Sequence, residues 1–399
     1  MTDHHTNTDI IVAGHICLDV IPTFEQTGGD WRQVIAPGKL VNVGQAVTAT
    51  GGAVANTGLA LHRLGLPTRL MGKLGDDLFG QAILDLLNHN NPALAKGMIV
   101  EPGEVTSYTV VLSPPGVDRI FFHNPGANDT FSDADVSTAA LAGAGLFHFG
   151  YPPLMRHMFA DGGKALARLL QKAKAAGLTT SLDMAYPDRN SAAGQADWRT
   201  LLAHVLPHVD IFLPSIEETL FMLERPLFTQ LSAQGDILDQ LDGKLLSRVG
   251  NLLLEMGAAV AVLKLGHRGL AVQTSADVTR LEETGACRPA DVQAWRNRQL
   301  LTSCFKTNVA GTTGAGDCTI AGFLAGLCRG LSLEETLTTA VAVGACSVES
   351  ASATDAIPPW ESVRERVAAG WEKLPQTIPL PGWQEDSAAG LWRGPSDGN

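Results

Sequence analysis

Asp317 closes the run Gly311-Thr312-Thr313-Gly314-Ala315-Gly316-Asp317, which leads into Cys318-Thr319-Ile320-Ala321-Gly322-Phe323. Three glycines in six residues permit backbone angles that a side chain would block. The turn can therefore aim several N–H groups at one point. A helix beginning near Ala315 adds its own unpaired N–H groups and the positive end of its dipole. That combination suits an anion, most commonly phosphate. A carboxylate is out of place in such a site unless it has chemistry to do. The chemistry that fits is removal of a proton from a hydroxyl that then attacks a phosphoryl group. Taken alone, Gly314 to Asp317 is more often an ordinary loop with an Asp near a helix start. It is not a dinucleotide fingerprint, because Thr319 stands where that pattern needs a small residue.

A partner for Asp317 is sought in Gly51-Gly52-Ala53-Val54-Ala55-Asn56, which runs on to Leu64-Gly65. Two glycines precede a small-residue helix that ends at a glycine stop. Asn56 falls in its first turns, where small neighbours allow close approach of a ligand or another helix. Upstream, Asp9 to Gly14 reads as a short buried strand, and Asp19 lies just past it. Open α/β sheets bind ligands beyond strand ends, although a turn-forming Asp is an equal reading here.

These residues need a scaffold. Between the two glycine-rich blocks, strand-like and helix-like runs alternate. Leu146–Phe149, Thr179–Asp183, Asp210–Leu213 and Ala259–Lys264 read as strands, and Phe159–Ala176, Trp198–Leu206 and Leu245–Met256 as helices. Ser215 caps a helix that contains Glu218, and Asp76 is the expected cap of a helix after Gly75. This alternation predicts a mostly parallel sheet with helices on both faces. Two β excursions leave it, at about 20–50 and 103–124, the second a hairpin around Ser113-Pro114-Pro115-Gly116. Together they would form a flap. Thr284–Thr307 shows no clear period. From about 376 to 399 the chain is rich in Pro, Gly and Ser and is expected to be a loosely docked tail.

Bulk properties narrow the classes. At 399 residues, with 45% hydrophobic and 18% charged residues, the chain can bury a full core. A net charge of −12 argues against nucleic acid and anionic membrane as partners. The six cysteines show no zinc spacing, and the N-terminus carries no export signal, so a cytoplasmic location is expected. The longest uncharged stretch, Val136 to Met155, is broken by Gly143, Gly145, Gly150, Pro152 and Pro153 and does not read as a membrane span.

With both blocks in this order and about 260 residues apart, the chain resembles the ribokinase-like, or PfkB, carbohydrate kinase family over roughly Asp9 to Pro359. The resemblance implies a Rossmann-like body (residues 1–375) with a β lid over the sugar. It implies that Asp19, Gly51, Gly52 and Asn56 hold sugar hydroxyls and that Asp317 is the base. The backbone of Gly314, Ala315 and Gly316 would then stabilise the transferring phosphoryl group. Lys264, Gly266 and Gly269, with Thr312 and Thr313, would contact ATP. Glu218 would hold Mg²⁺ through water, with Ser215 standing where relatives often have Asn. Asn128, in Gly126-Ala127-Asn128, would reach sugar or phosphate. Gly311 stands where many members carry an Asp that helps bind a monovalent cation, which leaves K⁺ activation in doubt.

The expected substrate is an unphosphorylated sugar of ribose, fructose or ketogluconate type. The lid segments offer only Arg32, Lys39 and Arg119 to clamp a second phosphate. A nucleoside stays open as an alternative, since Phe24, Trp31, Tyr108, Phe121 and Phe122 supply aromatic surface. A catalytically silent sugar sensor on the same fold is the reading from outside the enzymes. A lid of this kind can stay monomeric or pair with a second lid through its edges.

Overall fold

The computed structural model describes residues 8–24, 37–112 and 120–398. Trp31, Arg32, Arg119 and the Ser113–Gly116 turn lie outside the described residues. In chain order the strands are β1 (Asp9–Gly14), β2 (Cys17–Pro22), β3 (Ala46–Gly51), β4 (Thr68–Met71), β5 (Lys73–Gly75), β6 (Ile99–Glu101), β7 (Tyr108–Leu112), β8 (Ile120–Asn124), β9 (Ala144–Gly150), β10 (Thr179–Leu182), β11 (Ile211–Phe212), β12 (Val260–Lys264), β13 (Leu270–Thr274), β14 (Gln299–Thr302), β15 (Gln384–Asp386) and β16 (Leu391–Arg393). Ten of them build one sheet in the order β15-β16-β14-β13-β12-β11-β10-β9-β1-β4. From β4 to β12 neighbouring strands are parallel; from β12 to β15 they are antiparallel.

A strand covered on both faces must be apolar along its whole length. In β1, Ile10 and Val12 point into one core and Ile11 and Ala13 into the other. The first core is closed by the helices Ala53–Arg63, Ala315–Cys328 and Leu333–Ser347. The second is closed by Lys164–Ala175, Trp198–Val205, Ile216–Leu223 and Gly243–Glu255. Gly322 faces Ala340 so closely that a Cβ would stand 2.9 Å from its Cα, which is how two small-residue helices pack side by side.

A second sheet, β3-β2-β7-β8, stands off the body. β2 follows β1 after His15 and Ile16, and β3 returns the chain to Gly52 at the start of the Ala53–Arg63 helix. Tyr108 in β7 packs edge-on against Phe79 at 5.3 Å at the lid root.

Two expectations are corrected, and a stretch without clear period takes shape. The tail beyond residue 376 is not loose: β16 pairs with β14, placing Leu301 opposite Trp392, while Leu391 and Trp383 are buried. Its Pro and Gly content masked a few anchoring side chains. The cap of the Leu78–Asn90 helix is Asp77, not Asp76; its carboxylate accepts from the N–H of Gly80 and of Thr106, both at 2.8 Å. The aperiodic 284–307 stretch contains β14, because a strand of four residues is too short to register as alternation. Among the described residues no helix is long and apolar enough to cross a membrane.

Candidate functional site

The carboxyl ends of the parallel strands deliver side chains to one crevice, as open α/β sheets do. His15 follows β1, Tyr151 follows β9, Asp183 follows β10, Ser215 follows β11, and Lys264 ends β12. Across the crevice lies the glycine-rich turn. Gly314 has φ +70° and precedes the Ala315–Cys328 helix, whose first turn contains Asp317. A Cβ on Gly314 would stand 2.5 Å from the Ala353 Cβ, so both the backbone angle and the packing require glycine. Gly311 packs against Ala351, where a Cβ would lie 3.0 Å from its Cα.

Asp317 is buried, with 2% of its surface exposed. Asn56 Nδ2 donates to its Oδ2 at 2.9 Å, and the Tyr151 hydroxyl lies 2.8 Å from both carboxylate oxygens. Burial pushes the Asp317 pKa up, against the opposing pull of Lys264, Asn56 and Tyr151. The result is a fixed carboxylate more basic than one in water. Tyr151 is held far above its usual range by burial and by Asp317, and so stays a neutral donor. Its backbone is left-handed (φ 66°, ψ 43°), a conformation that costs a bulky residue on the order of 1–3 kcal/mol.

Beside this group, Lys264 Nζ lies 2.6 Å from Asp183 Oδ1. Asp183 is fully buried and its Oδ2 has no partner. Burial lifts its pKa to about 8, opposed by Lys264 and assisted by Glu218 and Asp317. Burial works against the charge of Lys264, yet Asp183, Glu218 and Asp317 outweigh it and hold its pKa up. Lys264 Nζ also stands 3.7 Å from where a Cβ of Gly316 would be, at the mouth of the glycine turn. Three carboxylates thus share one ammonium, and the surplus negative charge, with one orphaned oxygen, suits a divalent cation.

Glu218 is bound into a capping box: its Oε2 accepts from Ser215 N–H at 2.7 Å, and its own N–H bonds Ser215 Oγ at 3.1 Å. The Ser215 hydroxyl supplies the side-chain acceptor that this box needs. Gly269 has φ +116°, and a Cβ there would stand 1.9 Å from the Thr302 carbonyl. With Gly266 it makes the tight β12–β13 connection after Lys264. Thr312 precedes the helix, its carbonyl accepting from Ala315 N–H at 3.4 Å, and Thr313 follows it in the same turn.

At the lid root, the Asp19 carboxylate rests on the Gly51 backbone, where a Cβ would lie 2.4 Å from Oδ2. Gly52, at φ +88°, lets the helix start directly under His15, whose carbonyl accepts from Val54 N–H at 3.2 Å. Asn128 is corrected. It is fully buried, with Oδ1 accepting from Ile16 N–H at 3.2 Å and Nδ2 donating to Ile16 O at 2.9 Å. It clamps the β1–β2 turn, and its amide is not turned to sugar or phosphate. Sequence reasoning did not find Tyr151 as a site residue. Its only signal is a tyrosine between a strand end, Gly150, and the helix-starting Pro152. Asp183 was visible at its strand end but without the partner that gives it a role. A cavity of about 660 Å³ lies elsewhere, beside Lys244, Arg248 and Trp383.

A lidded α/β body with a carboxylate at a glycine-rich helix start is the ribokinase-like architecture. The Arabidopsis thaliana ribokinase structure complexed with ribose and ATP superposes with a TM-score of 0.66 at 19% identity, covering 90% of this chain and 98% of that one. The Xylella fastidiosa fructokinase with bound ATP gives 0.66 at 18% identity, covering 90% and 98%. An Escherichia coli putative ribokinase II with ATP and Mg²⁺ gives 0.64 at 20% identity, covering 91% and 99%. A model of the pfkB family carbohydrate kinases matches residues 7–360, and the chain belongs to that family of carbohydrate kinases. A curated relative, the probable fructokinase-6, chloroplastic, of Arabidopsis thaliana, is 25% identical over 89% of this chain and 81% of its own length.

Proposed function

We propose that the protein transfers the terminal phosphoryl group of ATP to a hydroxymethyl group of a small unphosphorylated sugar, ribose-, fructose- or ketogluconate-like. The observation that carries this reading is Asp317, a buried carboxylate fixed by Asn56 and Tyr151 at the start of a glycine-capped helix. In this reading Asp19, Gly51, Gly52 and Asn56 hold the sugar hydroxyls. Asp317 accepts the proton of the hydroxyl as its oxygen bonds phosphorus and the bond to the departing ADP breaks. N–H groups of Gly314, Ala315 and Gly316 meet the charge that builds on the phosphoryl oxygens. Lys264, Gly266, Gly269, Thr312 and Thr313 face the nucleotide. Mg²⁺ fits the carboxylates of Glu218 and Asp183, reached directly or through water, and when bound would neutralise phosphate charge. With glycine at 311, K⁺ activation is not part of the proposal.

The names of the relatives favour fructose first, since fructokinases are 25% identical over 89% of this chain and 32% identical over 35% of it. The lid's outer strands β3 and β8 are edges, with Val47, Phe121 and Phe122 exposed, and pairing of two lids in a homodimer is the proposed assembly. The test of function is ADP release by the purified protein with ATP and Mg²⁺ over free sugars, sugar phosphates and nucleosides. Turnover with a free ketose or pentose is the expected result. Stimulation by nucleosides alone would replace the substrate, and stimulation by none would favour a sugar sensor.

A further inference from the structure

Beside Asp19, to whose Oδ1 the Cys17 thiol donates at 3.4 Å, the lid root holds a cluster with no role of its own in the proposed phosphoryl transfer. His15 follows β1, Cys17 begins β2 and His123 lies in β8. One nitrogen from each ring and the Cys17 sulfur lie within 4.8 Å of one another. The two Nε2 atoms are 3.3 Å apart. Two histidines bound to tetrahedral Zn²⁺ at about 2.0–2.1 Å would hold their nitrogens about 3.3 Å apart. The rings meet at 47°, neither stacked nor edge-on.

The surroundings resemble those of a ligand set. Thr109 Oγ1 is 3.0 Å from His123 Nδ1, an outer partner that fixes the ring and leaves Nε2 to face inward. Thr109 also sits 3.6 Å from Cys17 Sγ. His15 is 2% exposed; its Nε2 meets His123, and its Nδ1 faces the Gly52 backbone. His123 is on the exposed rim, which gives an ion a way in and lets water complete four ligands.

We propose that His15, Cys17 and His123 form a Zn²⁺ site that ties the lid to the α/β body. Binding exchanges the Cys17 thiol proton, released to solvent, for a zinc–sulfur bond, and no electron transfer is involved. The His15 ligand comes from the body, whereas Cys17 and His123 come from two different lid strands. A bound ion therefore restrains the lid against the sheet.

The test uses the full chain without a histidine tag, stripped of metal and titrated with Co²⁺ and then Zn²⁺. One equivalent of Co²⁺ should produce a thiolate-to-cobalt charge-transfer band, which Zn²⁺ bleaches. Zn²⁺ should also raise the melting temperature of the parent. His123→Ala, at the exposed rim, and Cys17→Ser should each lower Zn²⁺ affinity at least about 100-fold. Absence of the band in the parent would overturn the proposal. So would unchanged Zn²⁺ affinity in His123→Ala whose melting curve shows it folded.

Discussion

Two clusters of acidic and basic side chains sit at opposite places in this molecule, and the same ingredients behave in opposite ways. At the crevice floor Asp317, Asp183 and Glu218 outnumber Lys264, and burial pushes all three carboxyls up. At the tail edge of the sheet Arg298 and Arg393 interlock with Glu334, Asp386 and Asp397. There Arg393 holds Asp386 below its usual range; burial would raise Glu334, but Arg298 and Arg393 outweigh it. Two guanidiniums directly hydrogen-bonded to three carboxylates, with Arg393 partly open to solvent, make a fastener worth little per exposed pair. Carboxylates in excess, away from solvent, store unfavourable charge that a substrate proton or a cation can relieve.

The largest effect should follow Asp317→Asn, which removes the base while keeping the shape. Turnover should fall by about 10²–10⁴-fold with ATP affinity unchanged. Near-normal turnover would abolish the contrast, because the floor would then be only another fastener. Tyr151→Phe should cost less, about 10–100-fold in kcat/KM, for loss of hydrogen bonds to a charged group. Because those bonds stabilise the ionised form, the acidic limb of the pH–rate profile should move to higher pH in this variant. A profile that stays put would assign Tyr151 a packing role.

Mg²⁺ gives a third, smaller signal. A carboxyl whose folded pKa is raised contributes stability that is complete below its unfolded pKa and is lost as pH rises through the folded value. For Asp183 that loss runs from the ordinary carboxylate range up to about pH 8. Mg²⁺ should therefore raise the melting temperature more at the upper end of this window than at the lower end. Equal shifts throughout would mean that the ion binds elsewhere. The smallest effect belongs to Arg393→Gln. Its ion pairs are about a third exposed on the arginine side, so a loss of about 1 kcal/mol or less is expected, with turnover unchanged. At this edge stability should also fall as pH drops through the depressed pKa values of Asp386 and Glu334, the reverse of the floor.

The sequence by itself determined the parallel sheet, the glycine turn with Asp317, and the small-residue helix with Asn56. Each is written locally: apolar strands between helical periods, glycines where φ must be positive, small residues where backbones touch. Lys264 and Glu218 were legible as positions, but the capping box that occupies Glu218 was separated from its charge partners only in three dimensions. Tertiary structure alone decided that Asn128 clamps Ile16, that Tyr151 reaches over Asp317, and that Asp183 pairs with Lys264. It also decided that the tail completes the sheet and that His123 meets His15. These outcomes rest on contacts between residues far apart in the chain, and neither periodicity nor spacing encodes which distant side chains a sheet's strand order brings together.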